Sequence, residues 1–148
     1  AEASGAGGLI LTRRRAPPLS PAVARASAGA IEHLPIARVT NLPRALEDLR
    51  ARGFWTLGAE VDAPVDLFAA SDRILSGDLV VVLGAEGRGL RHGVRAVLDH
   101  LVRIPMAGKV GSLNVSAAAA VVLFELLRRR LAASPPGAGG LAGPKARP

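Results

Sequence analysis

With 148 residues, 49% of them apolar and 21% charged, the chain is long enough for one domain with a real core and too short for two. It has no cysteine, which excludes disulfides and thiolate metal sites, and its three histidines (His33, His92, His100) lack ligand spacing, so no metal is expected. A net charge of +7, carried mostly by arginine, favours a polyanionic partner, while an aromatic content of 3% argues against base-stacking platforms.

In chain order, Gly8–Thr12 reads as a short buried strand that runs into the basic loop Arg13-Arg14-Arg15 and then Pro17-Pro18. Ser20 followed by Pro21 reads as an N-cap and first helical residue, with Gly29 as the stop. Ile36–Val39 is a brief strand. Asn41 can cap a helix over Pro43–Arg52, whose Leu42, Leu46 and Leu49 form one apolar stripe while Glu47, Asp48, Arg50 and Arg52 face water. Gly53 ends it. Strands are expected at Phe54–Leu57, Leu79–Leu83 and Leu101–Ile104, then a helix over Leu113–Leu131, about 28 Å long at ~1.5 Å per residue. The Pro/Gly/Ala-rich stretch 132–148 reads as a disordered tail after one domain over 1–131.

The N-terminus lacks a signal-peptide pattern, because its apolar stretch precedes its arginines. The longest apolar run, Val115–Phe124, is far short of the ~20 residues a membrane span needs. A soluble, cytoplasmic chain with no membrane partner is therefore expected. The strands are continuously apolar and alternate with helices, which predicts an α/β fold with a mostly parallel sheet covered by helices on both faces. Ligands in such sheets sit beyond the carboxyl ends of the strands.

Two glycine-bearing loops lie at such ends. Gly84-Ala-Glu-Gly-Arg-Gly89 has the spacing G-x-x-G-x-G, neither the dinucleotide fingerprint nor a phosphate loop, and reads equally as a tight turn or as a ligand loop. Glu86 in its middle is not something a turn requires. After Ile104, Pro105, Gly108 and Gly111 make a wandering backbone with unpaired N–H and C=O groups that need water or a ligand. Ser112 reads as the cap of the following helix, which leaves the Asn114 amide within the first turn and free to reach across the site. The run Ala117–Ala120 gives that helix a nearly bare face, suited to close packing against another element or another subunit.

Together, VVLGAEGRGL and, about twenty residues later, IPMAGKVGSLNVSAAAAVVLFE closely resemble motifs two and three of the SpoU/TrmH-type RNA ribose 2′-O-methyltransferases of the SPOUT superfamily. SAGAIEHLPIARVTNL upstream resembles the segment these enzymes carry before their second conserved helix, and the likeness is strongest to the branch that methylates guanosine in 23S ribosomal RNA. The resemblance implies a C-terminal trefoil knot whose loops hold S-adenosylmethionine, its adenine gripped largely by backbone groups. Gly84, Ile104 and Leu113 match binding positions, joined by Met106 and Ser112, and the loop around Leu57-Gly58-Ala59 would form the third wall. Asn114 matches the motif-three asparagine that organises the site, and Glu86 the motif-two glutamate that positions RNA or a site arginine. The partners implied are RNA (ribosomal first, transfer RNA as the alternative) and a second copy of the chain, with the active site near the subunit boundary.

Motif one of the family, N-x-G-x-x-x-R, is not found in these 148 residues. The opening Ala1-Glu-Ala-Ser-Gly-Ala-Gly-Gly resembles the family's residues just after the motif-one arginine, and Arg13–Arg15 do not match that motif. The domain over 1–131 thus reads as a catalytic domain incomplete at its N-terminal side, with weak turnover expected. The alternative is an RNA-binding or dimer scaffold that retains the cofactor pocket.

Overall fold

The structure, a computed structural model, describes residues 1–13, 20–85 and 87–133. The apolar runs become parallel strands. β1 (Leu9–Thr12) pairs with β2 (Ile36–Val39), Leu9 opposite Ile36 and Thr12 opposite Val39. A second, four-stranded sheet has the order β4 (Val65–Asp66), β6 (His100–Arg103), β3 (Trp55–Ala59), β5 (Leu79–Leu83). Every pairing between these strands is parallel. The expected α/β architecture is present, divided into two sheets among the described residues.

Alternation explains why β5 lacks polar residues: successive side chains enter opposite faces, and both faces are covered. From β5, Leu79 and Val81 join one core with Leu57, Val102 and Leu75, together with Val122 and Leu126 of α5 (Val115–Ala133). Val80 and Val82 join the other with Leu46 of α2 (Leu42–Ala51) and Val94 of α4 (His92–Arg95). Leu46, Leu57, Val102 and Val122 are fully buried.

The caps show where local chemistry was enough and where it was not. Asn41 Oδ1 accepts from the Arg44 N–H at 3.2 Å, as expected of an N-cap, and α2 begins there. α1 (Pro21–Ala26) follows Ser20, which is extended as an N-cap should be but makes no side-chain capping bond; Gly29 lies beyond the helix at φ 82°. At α5 the expected cap is displaced. The helix starts at Val115 rather than Leu113 and ends at Ala133. Asn114, not Ser112, takes the cap, its Oδ1 accepting from the Ser116 N–H at 2.9 Å. β4, α3 (Asp72–Leu75) and α4 were not anticipated: elements of two and four residues carry no period, and β4 exists only by pairing with β6.

A buried carboxylate locks the amino ends of the central strands. The Thr56 N–H and hydroxyl donate to Asp99 Oδ2 at 2.9 and 2.7 Å, the Asp99 N–H donates back to the Thr56 hydroxyl at 2.9 Å, and Arg50 of α2 lies 2.7 Å from Oδ1. Burial alone would raise the Asp99 pKa, but the Thr56 hydrogen bonds and the Arg50 guanidinium together hold it below the ordinary value.

Pro17-Pro18, Arg14 and Arg15, Glu86 and the stretch from Ser134 onward lie outside the described residues. No helix among the described residues is long and apolar enough to cross a membrane.

Candidate functional site

Register levels the carboxyl ends of three adjacent strands: Ala59 of β3 lies opposite Leu83 of β5 and Val102 of β6. The three loops that leave these ends enclose a cavity of about 430 Å³, within the size range of small-molecule sites. One wall is Ala59–Asp62. The second is Leu83, Gly84, Ala85 and Gly87–Gly89; the third is Ile104, Met106 and Gly111–Leu113, closed by Val115 and Ala118 of α5.

The second wall shows why glycine stands where it does. Its loop folds back on itself, the Ala85 N–H donating to the Gly89 carbonyl at 3.1 Å and the Gly89 N–H to the Ala85 carbonyl at 2.9 Å. A Cβ on Gly84 would stand 2.2 Å from the Gly89 carbonyl carbon and 2.5 Å from its oxygen, so no side chain fits without moving backbone. Gly87 and Gly89 take φ of 70° and 58°, the left-handed region open to glycine. In the third wall, no backbone group from Pro105 to Leu113 pairs with another backbone group among the described residues. These groups remain available to water or to a ligand in the cavity.

Five of the residues singled out from the sequence, Gly84, Ile104, Met106, Ser112 and Leu113, therefore line one cavity. Two do not. Leu57 is fully buried in the core, and a Cβ on Gly58 would meet the ends of Leu98, Leu101 and Leu90 at 2.6 to 2.8 Å. β3 runs two residues further than expected, so the wall begins at Ala59 and Leu57-Gly58 are packing positions beneath it. Asn114 is not in the lining, and its side-chain carbonyl oxygen caps α5. Glu86 lies outside the described residues.

Sequence reasoning missed Glu60, Asp62 and Arg88. Arg88 stands inside the Gly84–Gly89 motif but was given no role, no motif marks Glu60 or Asp62, and the length of β3 and the fold-back of the Gly84 loop bring all three to the wall. The Glu60 carboxylate is paired with Arg95 at 2.7 Å. No group of three His, Asp or Glu side chains that could hold a metal occurs among the described residues.

The model of the SpoU rRNA Methylase family matches residues 1–124. The chain belongs to the SpoU methylase family. It is 45% identical over 136 residues to the 23S rRNA (guanosine-2′-O-)-methyltransferase RlmB of Pseudomonas syringae pv. tomato, an alignment that takes in 92% of this chain and 53% of that protein. Among solved SpoU-type structures, it is similar to the methyltransferase AviRb from Streptomyces viridochromogenes in complex with the cofactor AdoMet (S-adenosylmethionine), with a TM-score of 0.79 and 30% identity over 88% of this chain and 53% of that one. It is also similar to an AdoMet-bound rRNA methyltransferase from Sinorhizobium meliloti, with a TM-score of 0.77 and 32% identity over 86% and 48% of the two chains. The chain spans about half the length of the curated relatives it matches.

Proposed function

We propose that this SpoU-family chain binds S-adenosylmethionine in the cavity at the ends of β3, β5 and β6 and serves 2′-O-methylation of a ribose in RNA. Ribosomal RNA is the first candidate substrate and the cytoplasm the place of action. The observation that carries the reading is the meeting of Gly84, Ile104 and Leu113, from two separate loops, in one cavity of about 430 Å³. The residues present fit such a group: a side-chain-free cradle at Gly84, unpaired backbone polar groups across from it, and apolar Ile104, Leu113 and Met106 between. We further propose that the loops after β5 and β6 are tied in the trefoil knot that the resemblance implies.

Bound there, S-adenosylmethionine supplies an electrophilic methyl group on a positively charged sulfur. The third loop, held at Ile104 on one side and at the cap of α5 on the other, would offer its unpaired backbone N–H and C=O groups to the polar edge of the adenine. Asn114 holds that cap, so its role toward the site is to fix the loop. Arg88 in the wall, with exposed Arg91 and Lys109 in the loops around it, offers cations to the phosphates of an RNA strand. The residues that the resemblance assigns to the acceptor hydroxyl belong to the N-x-G-x-x-x-R segment, which these 148 residues do not contain. Cofactor binding is thus expected of them more readily than turnover.

Isothermal titration with S-adenosylmethionine tests the cavity: saturable one-to-one binding is expected, and a folded chain that binds none defeats the reading. Methyl transfer to ribosomal RNA is expected to be weak for these residues alone. Salt-dependent RNA affinity without cofactor binding would instead favour the scaffold alternative.

We also propose a homodimer. What supports it is α5, whose exposed Ala117, Ala120, Phe124 and Leu131 fall on one side, Phe124 and Leu131 being 51% and 58% exposed. The helix that presents this stripe also lines the cavity through Val115 and Ala118, which places the site beside the proposed subunit boundary. Phe124→Glu is expected to convert the sedimenting species from dimer to monomer while leaving the circular dichroism spectrum unchanged; a wild-type chain that sediments as a monomer refutes the proposal.

A further inference from the structure

Glu60 is placed by the sheet, not by its side chain: its N–H donates to the Val102 carbonyl at 2.9 Å at the end of β3. Packing at this point needs no carboxylate. The side chain is nevertheless largely enclosed, 13% exposed, and its one partner among the described residues is Arg95 of α4, 2.7 Å from Oε2. That contact is an ion pair without hydrogen-bond geometry, so Oε2 is buried with no hydrogen bond at all. The other oxygen, Oε1, is aimed at the second wall, 3.4 Å from where a Cβ on Gly89 would stand. Both Glu60 and Gly89 line the cavity. Oε2 is closed in against Arg95, so the acceptor positions left for donors from a ligand that enters the cavity are those of Oε1.

Three donor classes could come from an adenosyl sulfonium ligand: the cation, the base amine and the ribose diol. Arg95 already stands as counter-ion against Oε2, which leaves the sulfonium to compete with it, while Oε1 keeps its acceptor positions for hydroxyl donors. The base edge is matched by the unpaired backbone of the third loop. A vicinal diol supplies two adjacent O–H donors, both of which a single carboxylate oxygen can accept, the acceptor chemistry by which acidic side chains hold ribose in dinucleotide sites.

We propose that Glu60 accepts the ribose hydroxyls of the adenosyl group, with Arg95 as the positioning residue that turns the carboxylate toward them. The inference rests on the cavity being the S-adenosylmethionine site.

Titration of the whole chain with S-adenosylmethionine, S-adenosylhomocysteine, 5′-methylthioadenosine and the 2′-deoxy form of the last separates the possibilities. Glu60→Gln is expected to weaken the first two ligands equally, by about tenfold or more, since a hydrogen bond to a charged group is the interaction lost. Loss of S-adenosylmethionine alone would assign Glu60 to the sulfonium and overturn the proposal, as would unchanged affinity for both. Wild type is expected to bind the 2′-deoxy ligand about tenfold more weakly than its ribose counterpart, and Glu60→Gln to bind the two alike. Should that variant fail to fold, the wild-type ratio alone decides: a value near one overturns the assignment. Arg95→Gln is expected to weaken binding and Arg95→Lys to restore part of it, a rescue that loss of packing alone would not produce. A wild type that binds none of the four ligands refutes the cavity reading itself rather than the role of Glu60.

Discussion

Gly84→Ala is expected to abolish measurable S-adenosylmethionine binding and to destabilise the chain by about 1–3 kcal/mol, the usual cost of forcing atoms into occupied space. The added carbon would stand 2.2 Å from the Gly89 carbonyl carbon, and the obstruction is backbone, which no rotamer change can clear. The loop would have to open, breaking the two hydrogen bonds between Ala85 and Gly89 and removing the second wall from the cavity. Gly108→Ala is the control: nothing lies within 4 Å of its Cβ position, so affinity and stability are expected to stay near wild type. Titration calorimetry and urea unfolding measure both quantities. Full binding by Gly84→Ala would mean that the fold-back of this loop is not what shapes the site.

The largest loss of stability is expected at the clasp between α5 and the segment after β4. Glu125, buried in α5, accepts from Arg128 Nε and Nη2 at 2.8 Å each and from Arg129 Nε at 2.7 Å. Arg129 then reaches across to donate to the Ala70 carbonyl at 2.7 Å, Asp72 Oδ1 at 2.8 Å and the Phe68 carbonyl at 2.9 Å. Arg129→Met keeps the bulk of the stem but leaves Glu125 to Arg128 alone and takes the donor from the Ala70 and Phe68 carbonyls, at a cost of about 3 kcal/mol by chemical denaturation, the upper end for hydrogen bonds to a charged group. A loss below about 1 kcal/mol, the worth of a surface ion pair, would show that the clasp adds nothing beyond surface electrostatics.

The same clasp sets an acid limit. The Arg128 hydrogen bonds, working against burial and assisted by Arg129, bring the Glu125 pKa from 4.5 down to about 2. Because the folded value lies below the unfolded one, the stabilisation is fully present above about pH 4.5 and is lost as pH falls toward 2. Wild-type melting temperature is expected to drop across that window, and Glu125→Gln, already destabilised at neutral pH, to drop less.

Some of this was legible in the residues alone. Leu79–Leu83 and Ile36–Val39 are strands with the expected bounds, because short runs rich in β-branched residues and flanked by helix signals leave few alternatives. Asn41 caps α2, because a cap depends on three residues of chain. The paired loop motifs were sufficient for the family, since close approach of backbone to ligand demands glycine at particular places. Leu57 and Gly58 were expected at the cavity although the wall starts one residue later, and Ser112 was expected to hold the cap that Asn114 takes; both depend on where β3 and α5 begin and end, which is settled by partners far along the chain.

What the sequence by itself determined was the parallel α/β class, the two loops that meet at the site, and the glycines they require. Those follow from short-range sterics and from the burial of apolar runs. Tertiary structure alone decided that the wall after β3 starts at Ala59, that Glu60 enters it beside Arg95, and that Arg129 bolts α5 to residues about sixty positions earlier. Register and long-range pairing are properties of assembled strands and helices, and a carboxylate becomes a ligand or a clasp only when folding removes its water and brings its partner.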